Sequence, residues 1–227
     1  MTTPLTGASV NGVAIVTGGS RGVGRAIVQS LASSGYAVVV DYLHHQHAAE
    51  STVEMLLADN AAAVAVRADV TDELDVQRLF AETIEAFGGI DVVVHAVRSR
   101  VTTAPVAGVD VAHFDALCRI NTRAAFIVDR EAARRIRPGG AIINLTSSVV
   151  SSPCPSYGAL AATTASIDAL TRVLALELSA RDITVNAVSL QIDAPCTPDT
   201  VADAVAHLLS DHSHRLTGQV IPIDAPR

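Results

Sequence analysis

Apolar residues fall in short unbroken runs that alternate with segments in which they recur every three or four positions. The runs at 13–16, 37–40, 64–67, 92–95, 141–145, 184–189 and 219–223 have strand length and are rich in Val and Ile, so they predict strands buried on both faces. Segments 22–34, 48–58, 72–87, 114–135, 156–180 and 200–209 predict amphipathic helices between them. Such alternation requires crossover connections, and hence a parallel sheet covered by helices on both sides. Gly35, Gly88-Gly89 and Pro138-Gly139-Gly140 supply the breaks, and Pro198 suits the first turn of the last helix. The expectation is a single α/β domain over 1–227, a doubly wound sheet of seven mostly parallel strands flanked by helices, with residues 1–11 a loose terminus.

Composition narrows the chemistry. With 227 residues, 49% of them apolar and 17% charged, the chain can bury a large core. All 16 basic residues are Arg. A chain without Lys has no Schiff-base nucleophile, no pyridoxal-phosphate anchor and no GxxxxGK[ST] phosphate loop. The formal charge of -7 argues against nucleic acid and anionic membrane surfaces as partners, and Arg134-Arg135-Ile136-Arg137 reads as a solvated helix end. Cys118, Cys154 and Cys196 are odd in number and lack CxxC spacing, which fits a reducing compartment and no metal site. With no leader-like start and no continuous apolar run of 18 residues, the expected location is the cytoplasm.

The first strand opens into Thr17-Gly18-Gly19-Ser20-Arg21-Gly22-Val23-Gly24, which leads into a helix. Closely spaced glycines in that context let backbone approach a pyrophosphate, and the helix N-terminus adds amide donors and a positive dipole. The loop resembles the TGxxxGxG loop of the short-chain dehydrogenase/reductase family, and further segments continue the likeness. These are Ala68-Asp69-Val70, Ile120-Asn121-Thr122, the run Ile142 to Ser147, the run Thr171 to Leu178, the run Ile183 to Val188, and Leu216-Thr217-Gly218-Gln219-Val220. The chain is thus similar to the ketoacyl-reductase-like members of that family. The resemblance implies a Rossmann-like sheet, a nicotinamide dinucleotide, and carbonyl reduction or alcohol oxidation. It marks Thr17, Gly18, Ser20, Arg21, Gly22, Val23, Gly24, Tyr42, Asp69 and Val70 as cofactor-binding positions.

Arg21 resembles a family position that meets a 2′-phosphate with a guanidinium. Asp41, ending the second strand, pulls the other way, because a carboxylate there can hold a ribose 2′-hydroxyl and repel a phosphate. The family's discriminating acid, counted from Gly35, falls on Tyr42. His44, His45 and His47 read as a solvated loop. The balance favours NADP(H) over NAD(H), with no productively bound nucleotide as the alternative.

The family reduces carbonyls with an Asn, Ser, Tyr, Lys tetrad, in which lysine lowers the pKa of the proton-donating tyrosine. Asn121 and Ser147 match. Thirteen and seventeen residues after Ser147, where the resemblance places Tyr and Lys, stand Leu160 and Thr164. Tyr157 is the one phenol outside the nucleotide half and is the remaining candidate acid, although one helical turn displaces it by ~4.5 Å. The candidate catalytic set is Ser147, Asn121 and Tyr157. His95 and His113 are imidazoles and so candidate acids by residue type, but they read as structural. The family's NNAG turn is here His95-Ala96-Val97-Arg98, and its PG-Thr segment is Leu190-Gln191-Ile192-Asp193-Ala194. Arg98 and Arg100 read as exposed loop charges, with anionic substrate the alternative.

Two functions stay open. One is an NADP(H)-dependent reductase with altered proton delivery; the other is a non-redox descendant, either a regulatory partner subunit or an enzyme of cyclisation, dehydration or isomerisation. The resemblance also implies a homodimer or homotetramer assembled through 114–135 and 156–180, or a hetero-oligomer with an active relative.

Overall fold

The computed structural model describes residues 10–99, 103–192, 196–210 and 215–223. Seven strands form one sheet in the order β3-β2-β1-β4-β5-β6-β7. They are β1 Gly12–Thr17, β2 Tyr36–Tyr42, β3 Ala63–Arg67, β4 Val92–His95, β5 Ala141–Ser147, β6 Thr184–Leu190 and β7 Val220–Ile223. All six pairings are parallel, where the sequence had left room for an antiparallel edge. The order reverses between β1 and β4, whose carboxyl ends open the crevice in which such sheets bind ligands.

Helices α1 Gly22–Ser33, α2 Gln46–Ala58 and α7 Pro198–Leu208 cover one face through Ile27, Leu31, Leu56 and Val205. Helices α3 Glu73–Phe87, α5 Ala124–Arg135 and α6 Gly158–Glu177 cover the other through Leu79, Phe80, Val128 and Leu174. Local chemistry sets the ends. Asp72 accepts from the Leu74 and Asp75 amides at 2.9 and 3.1 Å to start α3, and Gly88, at φ 81°, ends it in a left-handed turn. Thr197 caps α7 with Pro198 in its first turn.

Helices α2 and α7 each begin two residues before their expected segments, at Gln46 and Pro198, and two further differences have a backbone cause. The segment expected at 114–135 starts earlier, as α4 Val111–Leu117, capped by Asp110, and runs through a π-helical turn, Cys118–Arg123, into α5. The one-residue shift of phase that such a turn adds falls within a loose spacing of three or four, so the hydrophobic pattern does not single it out. The segment expected from 156 starts at Gly158, because Ser156 takes φ 70° and cannot extend a right-handed helix. α6 has the length and hydropathy of a membrane span, but Asp168 and Thr171 are buried and the helix packs on β5 and β6, as a core helix does.

Near the carboxyl ends, the α3/α5/α6 face carries a buried polar row. Register aligns Thr17, His95 and Asn144 on adjacent strands. Thr17 Oγ1 lies 3.0 Å from His95 Nδ1, and Asn144 Nδ2 donates to Asp129 Oδ2 at 2.9 Å and to Thr171 Oγ1 at 3.3 Å. Burial pushes the Asp129 carboxyl up to about 7, against the hydrogen bond from Asn144, and burial pushes the His95 imidazole down to about 4. A carboxyl that holds its proton more tightly folded than unfolded makes the fold lose stability as pH rises from the ordinary carboxylate range through 7. His95 has the opposite slope, losing stability as pH falls from 6.5 toward 4. Asp129→Asn is therefore expected to raise the melting temperature at pH 8 by roughly 2–4 °C, about 1 kcal/mol, and to change it little at pH 5. Equal shifts at both pH values in a calorimetric melt would contradict this.

Candidate active site

The turn after β1 is shaped by backbone contact. A Cβ on Gly24 would stand 2.3 Å from Gly18 O, so α1 can begin against the loop only with glycine there. Gly18 and Gly22 take φ values of 65° and 55°, and nothing lies within 4 Å of a side chain built on Gly22. α1 has no side-chain cap and no acid in its first turn, which leaves its amide donors and positive dipole for an outside anion. Ser20 and Thr17 are buried beneath the loop, Val23 is half-buried, and Arg21 is exposed at the helix start. These residues fit the diphosphate of a dinucleotide.

Asp41 is placed differently from its expected role at a ribose. Its side chain is 2% exposed, and Oδ2 accepts from the Gly18 amide at 3.1 Å while Oδ1 has no partner. The Asp41 carbonyl takes the next amide, Gly19 N, at 3.0 Å. Burial pushes this carboxyl up to about 7, with the Gly18 bond opposing. Its β2 neighbour Tyr42 is half-buried against the core, and His44, His45 and His47 are exposed. Asp69, just beyond β3, folds back on Thr71, accepting from its amide at 2.9 Å and its hydroxyl at 2.7 Å, and keeps Oδ2 3.9 Å from Arg119. Val70 points into the core.

Across the crevice, Asn121 sits in the π-helical turn. Its Oδ1 accepts from Ser99 N at 3.3 Å, and Nδ2 donates to Thr163 Oγ1 at 3.0 Å and Ser99 Oγ at 3.3 Å. Ser147 ends β5, is buried, and its hydroxyl has no partner. Leu160 is buried, and Thr164 Oγ1 donates to Leu160 O at 2.8 Å. Tyr157 precedes α6 as its cap residue, half-buried, and makes no hydrogen bond to Ser147 Oγ.

A family model described as Enoyl-(Acyl carrier protein) reductase matches residues 18–193, well over half of the chain. A short-chain type dehydrogenase/reductase of Picea abies is 38% identical over 186 residues, covering 78% of this chain and 69% of the relative. The chain belongs to the short-chain dehydrogenase/reductase family. A dehydrogenase/reductase from Sinorhizobium meliloti 1021 superposes with a TM-score of 0.89 at 32% identity, over 96% of this chain and 95% of that one. A short chain dehydrogenase from Burkholderia cenocepacia J2315, solved in complex with NADP, gives 0.86 at 28%, over 96% and 98%.

Within this dehydrogenase/reductase fold, several members of the site were not singled out from sequence. Thr163 and Ser99 hold Asn121, and Arg119 donates through Nε to Thr71 Oγ1 at 3.1 Å beside Asp69. Isolated Thr, Ser and Arg residues carry no spacing signal, and only the π-helical turn brings Asn121 to α6. Arg98 is exposed, as expected, and His95 is wholly buried with its Nδ1 on Thr17, a structural placement. Arg100 and the Asp193-Ala194 part of the sixth-strand segment lie outside the described residues. On the outer side of α5 and α6, an apolar groove of about 330 Å³ runs past Phe126, Ala169, Leu170 and Val173, with Phe126 and Val173 each 51% exposed.

Proposed function

We propose that this dehydrogenase/reductase binds NADP(H) and has lost the family's proton-delivering pair, so that carbonyl reduction is absent or slow. The single observation that carries the reading is the state of α6: Leu160 is buried, and the Thr164 hydroxyl is used on Leu160 O. Leu160 has no ionisable hydrogen. Thr164 carries no positive charge that would steady a phenolate or hold a ribose hydroxyl.

The nucleotide half is supported by the uncapped α1 start, the glycine contacts at 18 and 24, and exposed Arg21. The NADP bound by the Burkholderia relative supports the choice of dinucleotide. When bound, the nicotinamide supplies the hydride. Ser147 keeps an unpartnered hydroxyl that can donate to a carbonyl oxygen and orient it, but an alcohol does not exchange protons readily at neutral pH. Asn121 holds the post-β4 backbone at Ser99 to α6 at Thr163 and so fixes the width of the crevice. Tyr157 lies one turn from the tetrad position and lacks a bond to Ser147, which supports a lining role for it.

A missing general acid costs about 10²–10⁴-fold. NADPH is expected to bind in a calorimetric titration, with oxidation by a panel of ketones near background and unchanged by Tyr157→Phe. Leu160→Tyr combined with Thr164→Lys is expected to raise that oxidation by at least ~100-fold. Rapid wild-type turnover abolished by Tyr157→Phe would overturn the loss of proton delivery, and failure to bind NADPH would overturn the whole reading.

We also propose that two copies associate over the α5/α6 groove, whose half-exposed Phe126 and Val173 form an apolar surface of the kind that marks interfaces. Phe126→Glu is expected to reduce the mass measured by light scattering to that of one chain. A wild type that is already monomeric at micromolar concentration would contradict this.

A further inference from the structure

We infer that Asp41 is a positioning residue that shapes the phosphate loop from beneath and is no ligand of a nucleotide's 2′-position. The inference rests on the NADP(H) reading above for its second half and on geometry alone for its first. Two consecutive loop amides end on this one residue: Gly18 N on Oδ2 at 3.1 Å and Gly19 N on the carbonyl at 3.0 Å. Both bonds draw the start of the turn down onto the end of β2. A later amide set, at the start of α1, is left open to an anion.

An acid at the end of the second strand invites the reading that it grips a ribose. Here the carboxylate cannot do so in the observed conformation, since it is 2% exposed and one oxygen is committed to the loop. Its other oxygen, Oδ1, is buried without a partner. Turning that group outward would leave the part-buried Gly18 amide without its acceptor. The side chain therefore stays beneath the loop when a ligand arrives.

The test uses the full chain, Asp41→Asn and Asp41→Leu, with NADPH and NADH as probes. Asn keeps an oxygen for Gly18 N; Leu removes it. Hydrogen exchange of residues 17–24, measured without nucleotide, is expected to quicken in Asp41→Leu and to stay as in wild type in Asp41→Asn. Affinities for NADPH and NADH are expected to fall together, by about tenfold in Asp41→Leu, with their ratio preserved within about twofold in both variants. Unchanged exchange in Asp41→Leu would overturn the positioning role. A rise of the NADPH to NADH preference by more than about fivefold in either variant would show a ribose ligand instead and overturn the inference. Should Asp41→Leu not fold, the preference measured in Asp41→Asn still decides the second half, and faster exchange in folded Asp41→Asn would overturn the first. A wild type that binds neither nucleotide removes the NADP(H) reading and with it the 2′-position half, while the exchange measurement still decides whether Asp41 supports the loop.

Discussion

The rest of the structure depends on one close approach, that of the first helix to the turn that precedes it. Gly24 passes so near Gly18 O that any side chain would force the two apart, and this nearness brings the open end of α1 to the carboxyl edge of β1. The sheet supplies the crevice by reversing its strand order between β1 and β4. Asp41 ties the loop to β2 from below. Charge, dipole and shape then agree on an anionic ligand before any side chain of the loop has been considered.

The opposite wall of the crevice keeps the family's scaffold. The π-helical turn still presents Asn121, and β5 still ends in Ser147. Helix α6 carries a buried Leu160 and a Thr164 bonded to its own backbone, and we read these as standing where the family keeps its proton-handling groups. On the function proposed here the two halves of the site have diverged, with the anion cradle kept and the acid–base half lost. Binding and turnover rest on different residues, so one can persist without the other.

Fold class was legible from the chain because short Val- and Ile-rich runs of strand length alternate with amphipathic segments, and the glycine spacing at 18, 22 and 24 points at the phosphate turn. Two kinds of feature were not legible. Backbone deviations are one, the π-helical turn at Cys118–Arg123 and the left-handed Ser156, which no residue-type signal marks. Side-chain direction is the other: Asp41 stands where a ribose ligand could stand, but it faces the Gly18 amide, and sequence does not say which way a strand-end carboxylate turns. The bonds of Asn121 to Ser99 and Thr163 were hidden for the same reason, since they join residues 22 and 42 positions apart.

The most direct examination is a crystal structure of the protein soaked with NADP. The account predicts phosphates seated on the amides at the start of α1, and beside the pyridine ring the Leu160 side chain, with the Ser147 hydroxyl as the sole nearby donor. A Tyr157 oxygen found ~2.6–3.2 Å from Ser147 Oγ and directed at the ring would contradict it.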